Sequence, residues 1–151
     1  MNNNGMKKNL LILSFTIALC YPAAWSQNAK PAETLTFHVT GFEKATGQAL
    51  IYLYRRADKV PTKPFMHLKA EIVNHVSDIT VNNLSYGEYA AIVVHDLNSN
   101  GKIDHKWGMP AEPMGYTNKW KLSLFSGMPT FEKLKFFYSD KNSTIVVQMK
   151  E

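Results

Sequence analysis

Alternation between apolar and polar residues, with a period of two, dominates the sequence beyond its N-terminal region. Residues 34–40 alternate in this way, which predicts a strand with one buried face. Residues 48–55 and 88–95 are apolar on both faces, as strands inside a sheet usually are. Since no segment shows the 3.6-residue period of a convincing amphipathic helix, the sequence predicts an all-β fold.

The predicted strands are separated by turns rich in glycine, proline and asparagine. They span seven segments: 34–40, 48–55, 68–74, 76–82, 88–95, 134–138 and 144–149. Their number and spacing predict an immunoglobulin-like or transthyretin-like β-sandwich. The pattern Leu84-x-x-Gly87-x-Tyr89 resembles a tyrosine corner, in which the hydroxyl bonds back to nearby backbone. A long ordered loop at 105–130 follows the fifth strand, and loops of this length usually carry function or further elements.

The N-terminal residues have the organisation of a secretory signal peptide. Lys7 and Lys8 precede an apolar run at 10–21, and Ala24-Trp25-Ser26 is a small-x-small cleavage sequence. An uncleaved membrane anchor is the alternative, but twelve residues ending at a proline are too few to span a bilayer. We therefore expect a signal peptide at 1–26, a linker at 27–33 and a single domain at 34–151. This organisation predicts export to the periplasm or beyond the cell, with no transmembrane segment after cleavage.

Cysteine content and charge restrict the classes of partner. The only cysteine, Cys20, lies inside the apolar run, so the expected mature domain has none and depends on its packed core. Leu19 stands where a lipoprotein signal has a small residue, which argues against a lipid anchor. Without Lys7 and Lys8, 15 basic residues face 12 acidic ones, and they are scattered. A modest charge on an exported chain argues against nucleic acid as the partner. The sequence does not identify the partner, and a cell-envelope component is one candidate.

The segment 96–104 (DLNSNGKID) has the spacing of the first nine positions of an EF-hand calcium loop. Oxygen-bearing side chains occupy positions 1, 3, 5 and 9, and glycine occupies position 6. Position 12, where an EF-hand has a bidentate glutamate, is Trp107, but Glu112 could fold back to supply the missing carboxylate. The predicted calcium ligands are Asp96, Asn98, Asn100, the carbonyl of Lys102, Asp104 and Glu112.

A metal-free turn is the alternative interpretation of the same segment. Asn and Asp side chains bind their own backbone in Asx-turns, and Asn100-Gly101 is a strong hairpin-turn signal. The flanking segments also lack the helices of an EF-hand. Both interpretations stay open at this point. If calcium binds, two carboxylates among the loop ligands predict a weak Kd of ~10⁻⁴–10⁻³ M.

The sequence favours a non-enzymatic protein, although it leaves the question open. His95 and Asp96 are adjacent on a predicted strand, so their side chains point to opposite faces and do not form a catalytic dyad. A buried histidine bonded to backbone is the favoured role for His95. The serines lack the sequence context of a nucleophile elbow. No catalytic residue is therefore predicted.

Aromatic residues are concentrated in the 105–130 loop. Trp107, Tyr116 and Trp120 could form a stacking surface for sugar rings or another ligand. Alternatively, these side chains could plug the open end of the sandwich and anchor the loop by burial. The plug is favoured, because a domain without cysteine must hold a long loop by packing.

Several motifs together resemble a family of small exported bacterial proteins of uncharacterised function. The likeness is carried by Tyr89-Ala90, His95-Asp96-x-Asn98-x-Asn100-Gly101-Lys102-x-Asp104, Gly108-x-Pro110-x-Glu112, Gly115-Tyr116-Thr117-Asn118 and Pro129-Thr130-Phe131-Glu132. The resemblance covers residues 34–149 and implies a secreted or periplasmic β-sandwich, but no activity. It also places Glu112 and Asn118 in motifs beside the 96–104 loop, which suggests a shared site.

These observations predict an exported, non-enzymatic β-sandwich module with an EF-hand-like calcium loop at 96–104. The alternative is a metal-free module that binds an envelope ligand or polysaccharide through the aromatic residues of its long loop.

Overall fold

The structure is a computed structural model that describes Met1, residues 33–123 and residues 125–150. Apart from Met1 and Glu33, the expected signal peptide at 1–26 and the expected linker at 27–33 lie outside the described residues. All the strands described below belong to one compact unit, Pro31–Glu151.

Within the described ranges, the backbone forms ten strands, one short α-helix and one 3-10 turn. The strands are β1 (Thr34–Thr40), β2 (Gln48–Arg55), β3 (Met66–Glu71), β4 (Val76–Asn82), β5 (Gly87–Asp96), β6 (His105–Lys106), β7 (Met109–Pro110), β8 (Met114–Tyr116), β9 (Phe136–Tyr138) and β10 (Thr144–Lys150). The helix α1 spans Phe131–Leu134, and the 3-10 turn spans Thr117–Lys119. The predicted all-β class is confirmed.

Eight strands form one sheet, and the pairing of β10 folds that sheet back on itself. The strand order is β3-β2-β5-β8-β10-β1-β4 with β9 paired to β5, while β6 and β7 form a separate hairpin. Neighbouring strands are antiparallel except β1 and β10, which are parallel. Strand β10 pairs with β1 along most of its length and with β8 through its last two residues. Because β3 and β4 also contact each other, the sheet is nearly closed into a barrel.

The observed strand bounds agree with the predicted ones where alternation is clearest. Strands β1, β2 and β4 have the predicted limits. The strand predicted at 68–74 forms β3 but ends earlier, because Asn74 and His75 adopt positive φ angles of 51° and 65° in the turn to β4. The strand predicted at 134–138 begins only at Phe136, since the residues before it form α1.

The interior of the folded sheet is filled by apolar side chains from β1, β2, β4, β5 and β10. The main buried residues are Leu35, Phe37, Val39, Ile51, Leu53, Val81, Ala91, Val93 and Val147. In β1 and β4 they occupy the alternate positions of the period-two pattern. The Tyr89 hydroxyl donates to the carbonyl oxygen of Ser85 over 2.8 Å, which is the backbone contact of the predicted tyrosine corner.

A second apolar cluster covers the outer face of β2, β5 and β8. Its buried members include Leu50, Tyr54, Ile92, Val94, Tyr116 and Leu134, and Trp120 and Leu122 pack against it. Much of the cover comes from the segment 105–130, which is not a structureless loop because it contains β6, β7, β8 and the 3-10 turn. Since β8 is inserted between β5 and β10, burial and strand pairing together anchor this segment.

Candidate functional site

Asp96, the last residue of β5, anchors the 96–104 loop through its side-chain hydrogen bonds. Its side chain is fully buried, with 0% exposure. One carboxylate oxygen accepts the Nε2 of Gln48 and the backbone amide of Gly101, both at 2.7 Å. The other accepts the backbone amide of Asn100 at 3.1 Å. The carboxylate thus ties the middle of the loop to β2.

The two asparagines turn the loop back on itself. The side-chain oxygens of Asn98 and Asn100 accept the backbone amides of Asn100 and Lys102, at 3.1 and 2.8 Å. Their Nδ2 groups donate to the two carboxylate oxygens of Asp104, at 2.7 and 3.0 Å. These are the Asx-turn contacts that the metal-free interpretation predicts.

Glu112 folds back onto the loop from beyond the β6–β7 hairpin. One carboxylate oxygen accepts the backbone amide of Leu97 at 3.2 Å, and the other accepts the backbone amide of Asp104 at 3.1 Å. The side chain is 8% exposed. A second contact supports the same closure, because the Ala111 amide donates to the Asp104 carbonyl over 2.8 Å. Glu112 therefore joins the two ends of the loop and places a third carboxylate beside Asp96 and Asp104.

Negative charge is concentrated at this corner of the molecule. Burial raises the pKa of Glu112, and the charges of Asp96 and Asp104 raise it further. Burial also raises the pKa of the Tyr52 hydroxyl, and the charges of Glu112 and Asp96 add to that effect. At Asp96 itself, burial acts to raise the pKa, but hydrogen bonds from Gln48 and from loop amides outweigh burial and hold it below its usual value.

The carboxylates alone do not form a metal cage in this conformation. Among the described residues, no three His, Cys, Asp or Glu side chains converge closely enough to hold a metal ion. Calcium at the loop would therefore need oxygens of the other predicted ligands, which are the Asn98 and Asn100 amides and the Lys102 carbonyl. Because both amides turn their nitrogens toward Asp104, their oxygens reach an ion beside that carboxylate only after the side chains rotate.

Thr46 and Gly47, in the turn before β2, and Gln48, the first residue of β2, support the loop. Sequence reasoning missed these three residues. Gln48 donates to Asp96, as described above. The Nε2 of His95 bonds to the carbonyl oxygen of Thr46 over 2.8 Å, so this buried histidine binds backbone as predicted. Gly47 has a φ of +82°, and a Cβ there would lie 2.4 Å from the Asp96 carbonyl oxygen. The missed signal is the β2–β5 register, which pairs Gln48 with Asp96 and cannot be read from local sequence.

The predicted aromatic residues do not form one flat surface. Trp107 lies in the turn between β6 and β7 with 93% of its surface exposed. Tyr116 is only 7% exposed and packs edge-to-face on Trp120, with ring centroids 4.7 Å apart. Tyr116 and Trp120 line a groove of about 670 Å³, and Glu112 contributes to the same lining. Glu112 therefore belongs both to the loop closure and to the groove lining.

The Gly115–Asn118 motif holds the segment to the sheet and does not reach the loop. The buried Thr117 hydroxyl donates to Leu134 O at 2.6 Å and accepts the Ala91 amide at 3.0 Å. Asn118 has a φ of +57°, and its side-chain amide donates to the Lys133 carbonyl at 3.1 Å. Of the two residues expected beside the loop, the structure brings Glu112 to it and leaves Asn118 at α1.

Among the described residues, no helix is both long enough and apolar enough to cross a membrane. Residues 37–146 match a protein family described as "Uncharacterized protein conserved in bacteria (DUF2141)". Neither a curated protein nor a solved structure matches the chain.

Proposed function

Because the chain belongs to the bacterial family DUF2141, whose description names no activity, we propose a function from the site alone. The protein acts as an exported, non-enzymatic all-β module whose 96–104 loop binds calcium. The ligands are Asp96, Asn98, Asn100, the Lys102 carbonyl and Asp104, and Glu112 supplies the additional carboxylate.

The contact between Glu112 and the loop carries this proposal. It brings a third carboxylate to the loop, close to Asp96 and Asp104. Burial raises the pKa of Glu112, and the charges of Asp96 and Asp104 raise it further, so these two carboxylates repel an ionised Glu112. A calcium ion would replace this repulsion with attraction, and oxygen donors are the ligands that calcium prefers.

Calcium at this position would stiffen the base of the β6–β7 hairpin. The hairpin leaves the loop at Asp104 and returns at Glu112, and these two residues are proposed ligands. The exposed Trp107 would then be presented on a rigid hairpin, as a surface for a cell-envelope partner. The ion's role in this proposal is structural, so no chemical step depends on it.

Calcium titration calorimetry of the purified protein tests the proposal. We expect saturable binding with a Kd of ~10⁻⁴–10⁻³ M, and its loss in Asp104→Asn, which removes a charge at a partly exposed position. Lys102→Gln is the matched control, because the proposed donor there is a backbone carbonyl and the side chain is exposed. Absence of heat in the wild type, with a melting temperature that millimolar calcium does not move, would overturn the proposal.

Export is the second part of the proposal and has its own test. The basic residues, apolar run and small-x-small sequence at 1–26 support cleavage before Gln27. Expression in a bacterial host should give a processed protein outside the cytoplasm whose first residue is Gln27. Recovery of the intact chain from the cytoplasm would contradict export.

A metal-free binding module is the second candidate, and the groove favours it. Ligand sites in proteins are concave, largely apolar and a few hundred Å³ in volume, and the groove beside Tyr116 and Trp120 has these properties. Under this candidate, Trp120→Ala removes ligand binding, whereas chelation of calcium does not affect it.

A further inference from the structure

The groove lies between β10 and the segment that follows β8. One wall is the outward face of β10, where Val146 is 63% exposed. The other wall carries Tyr116, Trp120 and Leu122, which belong to the outer apolar cluster. Since Met114 also contributes, much of the lining is aliphatic, aromatic or thioether in character.

Lysines stand on both walls of this apolar groove. Lys119 and Lys121 belong to the segment after β8, Lys150 ends β10, and all three are exposed. Within the described part of the chain, no carboxylate lies at ion-pair distance from any of the three. Glu112 is the one acidic residue among the described residues of the lining, and its side chain is bonded to the 96–104 loop. The groove therefore combines apolar lining residues with three lysines that have no ion-pair partner among the described residues.

We propose that this groove binds a fatty acid. The hydrocarbon chain lies along Trp120, Leu122 and Val146, and the carboxylate is held by the three lysines. The inference names the ligand class for the metal-free binding candidate above and does not depend on calcium. It is new with respect to the polysaccharide interpretation, because it uses the lysines and the aliphatic lining.

The arrangement of the rings favours a hydrocarbon chain over a sugar. Sugar rings stack on exposed aromatic faces, whereas the Tyr116 ring is buried and meets Trp120 at an interplanar angle of 85°. The groove volume of about 670 Å³ is within the range of small-ligand sites, which are roughly 300–1,000 Å³.

Binding of dodecanoate, measured by calorimetry below its micelle concentration and in the presence of chelator, tests the inference. The decisive variant is Val146→Glu, which places a negative charge in the groove at an exposed position where folding should be unaffected. Its matched control is Thr144→Glu, which adds the same charge to the same outward face of β10 outside the groove lining. Dodecyltrimethylammonium tests the sign of the ligand charge.

We expect Val146→Glu to weaken dodecanoate binding by about ten-fold and Thr144→Glu by less than about two-fold, since screened surface charges act mainly at short range. The double variant Lys121→Gln/Lys150→Gln should weaken it by about five-fold. The inference is overturned if dodecanoate does not bind, if both glutamate variants weaken it equally, or if the cationic surfactant binds as well. Binding of a soluble envelope glycan without dodecanoate binding would overturn the fatty acid and leave the binding candidate intact.

Discussion

The Glu112 carboxylate accepts a hydrogen bond from the backbone amide of Asp104, eight residues earlier in the chain, over 3.1 Å. Its other oxygen holds the Leu97 amide, so one side chain fixes both ends of the 96–104 loop. Glu112 therefore has a structural role whether or not calcium is bound. Experiments on this residue must consequently separate stability from metal affinity, and pH provides the means.

Glu112→Gln should change how stability depends on pH. The folded-state pKa of Glu112 lies above its ordinary value of 4.5, so the folded protein holds this proton more tightly than the unfolded chain does. The resulting stabilisation is fully present below pH 4.5 and is lost as the pH rises through the folded-state pKa. We expect the wild type to gain stability relative to Glu112→Gln as the pH falls from 7 toward 4.5. Urea unfolding at several pH values measures this, and parallel profiles for the two proteins would contradict it.

Asp96→Asn should show the opposite pH dependence. The pKa of Asp96 lies below its ordinary value of 3.8, so its contribution is present above pH 3.8 and is lost as the pH falls through the folded-state pKa. At pH 7 the substitution should cost about 2–3 kcal/mol, because hydrogen bonds to a charged buried group are weakened. Unfolding of Asp140→Asn, on an exposed turn, is the control and should change little. A cost for Asp96→Asn that is the same at pH 7 and below pH 3.8 would refute the charge-based account.

Gly47→Ala should be far more destabilising than Gly101→Ala. Both glycines have positive φ angles, +82° and +76°, which an alanine adopts only with strain. At Gly101 a Cβ meets open space, so strain alone should cost about 1 kcal/mol. At Gly47 the Cβ would lie 2.4 Å from the Asp96 carbonyl oxygen, and the total should exceed about 3 kcal/mol. Thermal unfolding distinguishes the two, and equal melting temperatures would show that Gly47 does not pack against the loop as described.

Tyr116→Ala and Trp107→Ala should separate packing from surface function. Tyr116 is buried in the outer cluster, and its truncation should cost about 3–4 kcal/mol. Trp107 is 93% exposed, so its truncation should stay within about 0.5 kcal/mol of the wild type. Chemical unfolding gives both values. Marked destabilisation by Trp107→Ala would mean that the hairpin packs against the domain and is not a presented surface.

Local pattern was sufficient for the strands that have one face in the core. In β1 and β4, alternate residues are buried, and the sequence has a period of two because most of those alternate residues are apolar. The tyrosine corner was also predictable, because Tyr89 and Ser85 are close in sequence. Glu112 was a candidate for the missing calcium carboxylate, and the structure brings it to the loop, but its distance from the loop could not be predicted from local sequence.

Long-range pairing explains what the sequence did not reveal. Strand β8 has only three residues, and its identity as a strand comes from the edges of β5 and β10 on either side of it. The sequence around Gln48 indicates only a strand residue. The register of β2 on β5 is what places Gln48 beside Asp96. Likewise, the Thr117 hydroxyl, directly after β8, accepts a hydrogen bond from the Ala91 amide of β5. No local sequence pattern indicates this contact.

The parallel pairing of β1 with β10 has a consequence for how the chain reaches its native state. It joins residues about a hundred positions apart, such as Thr36 and Thr144, and β1 lies inside the sheet between β10 and β4. Contacts so distant in sequence make folding slow, since a long segment must lose its entropy before the contact is gained. During that interval β1 and β8 each expose an unpaired edge, which a chaperone or a second copy of the chain can occupy. Pairing of β10 is therefore the step that covers both of these edges.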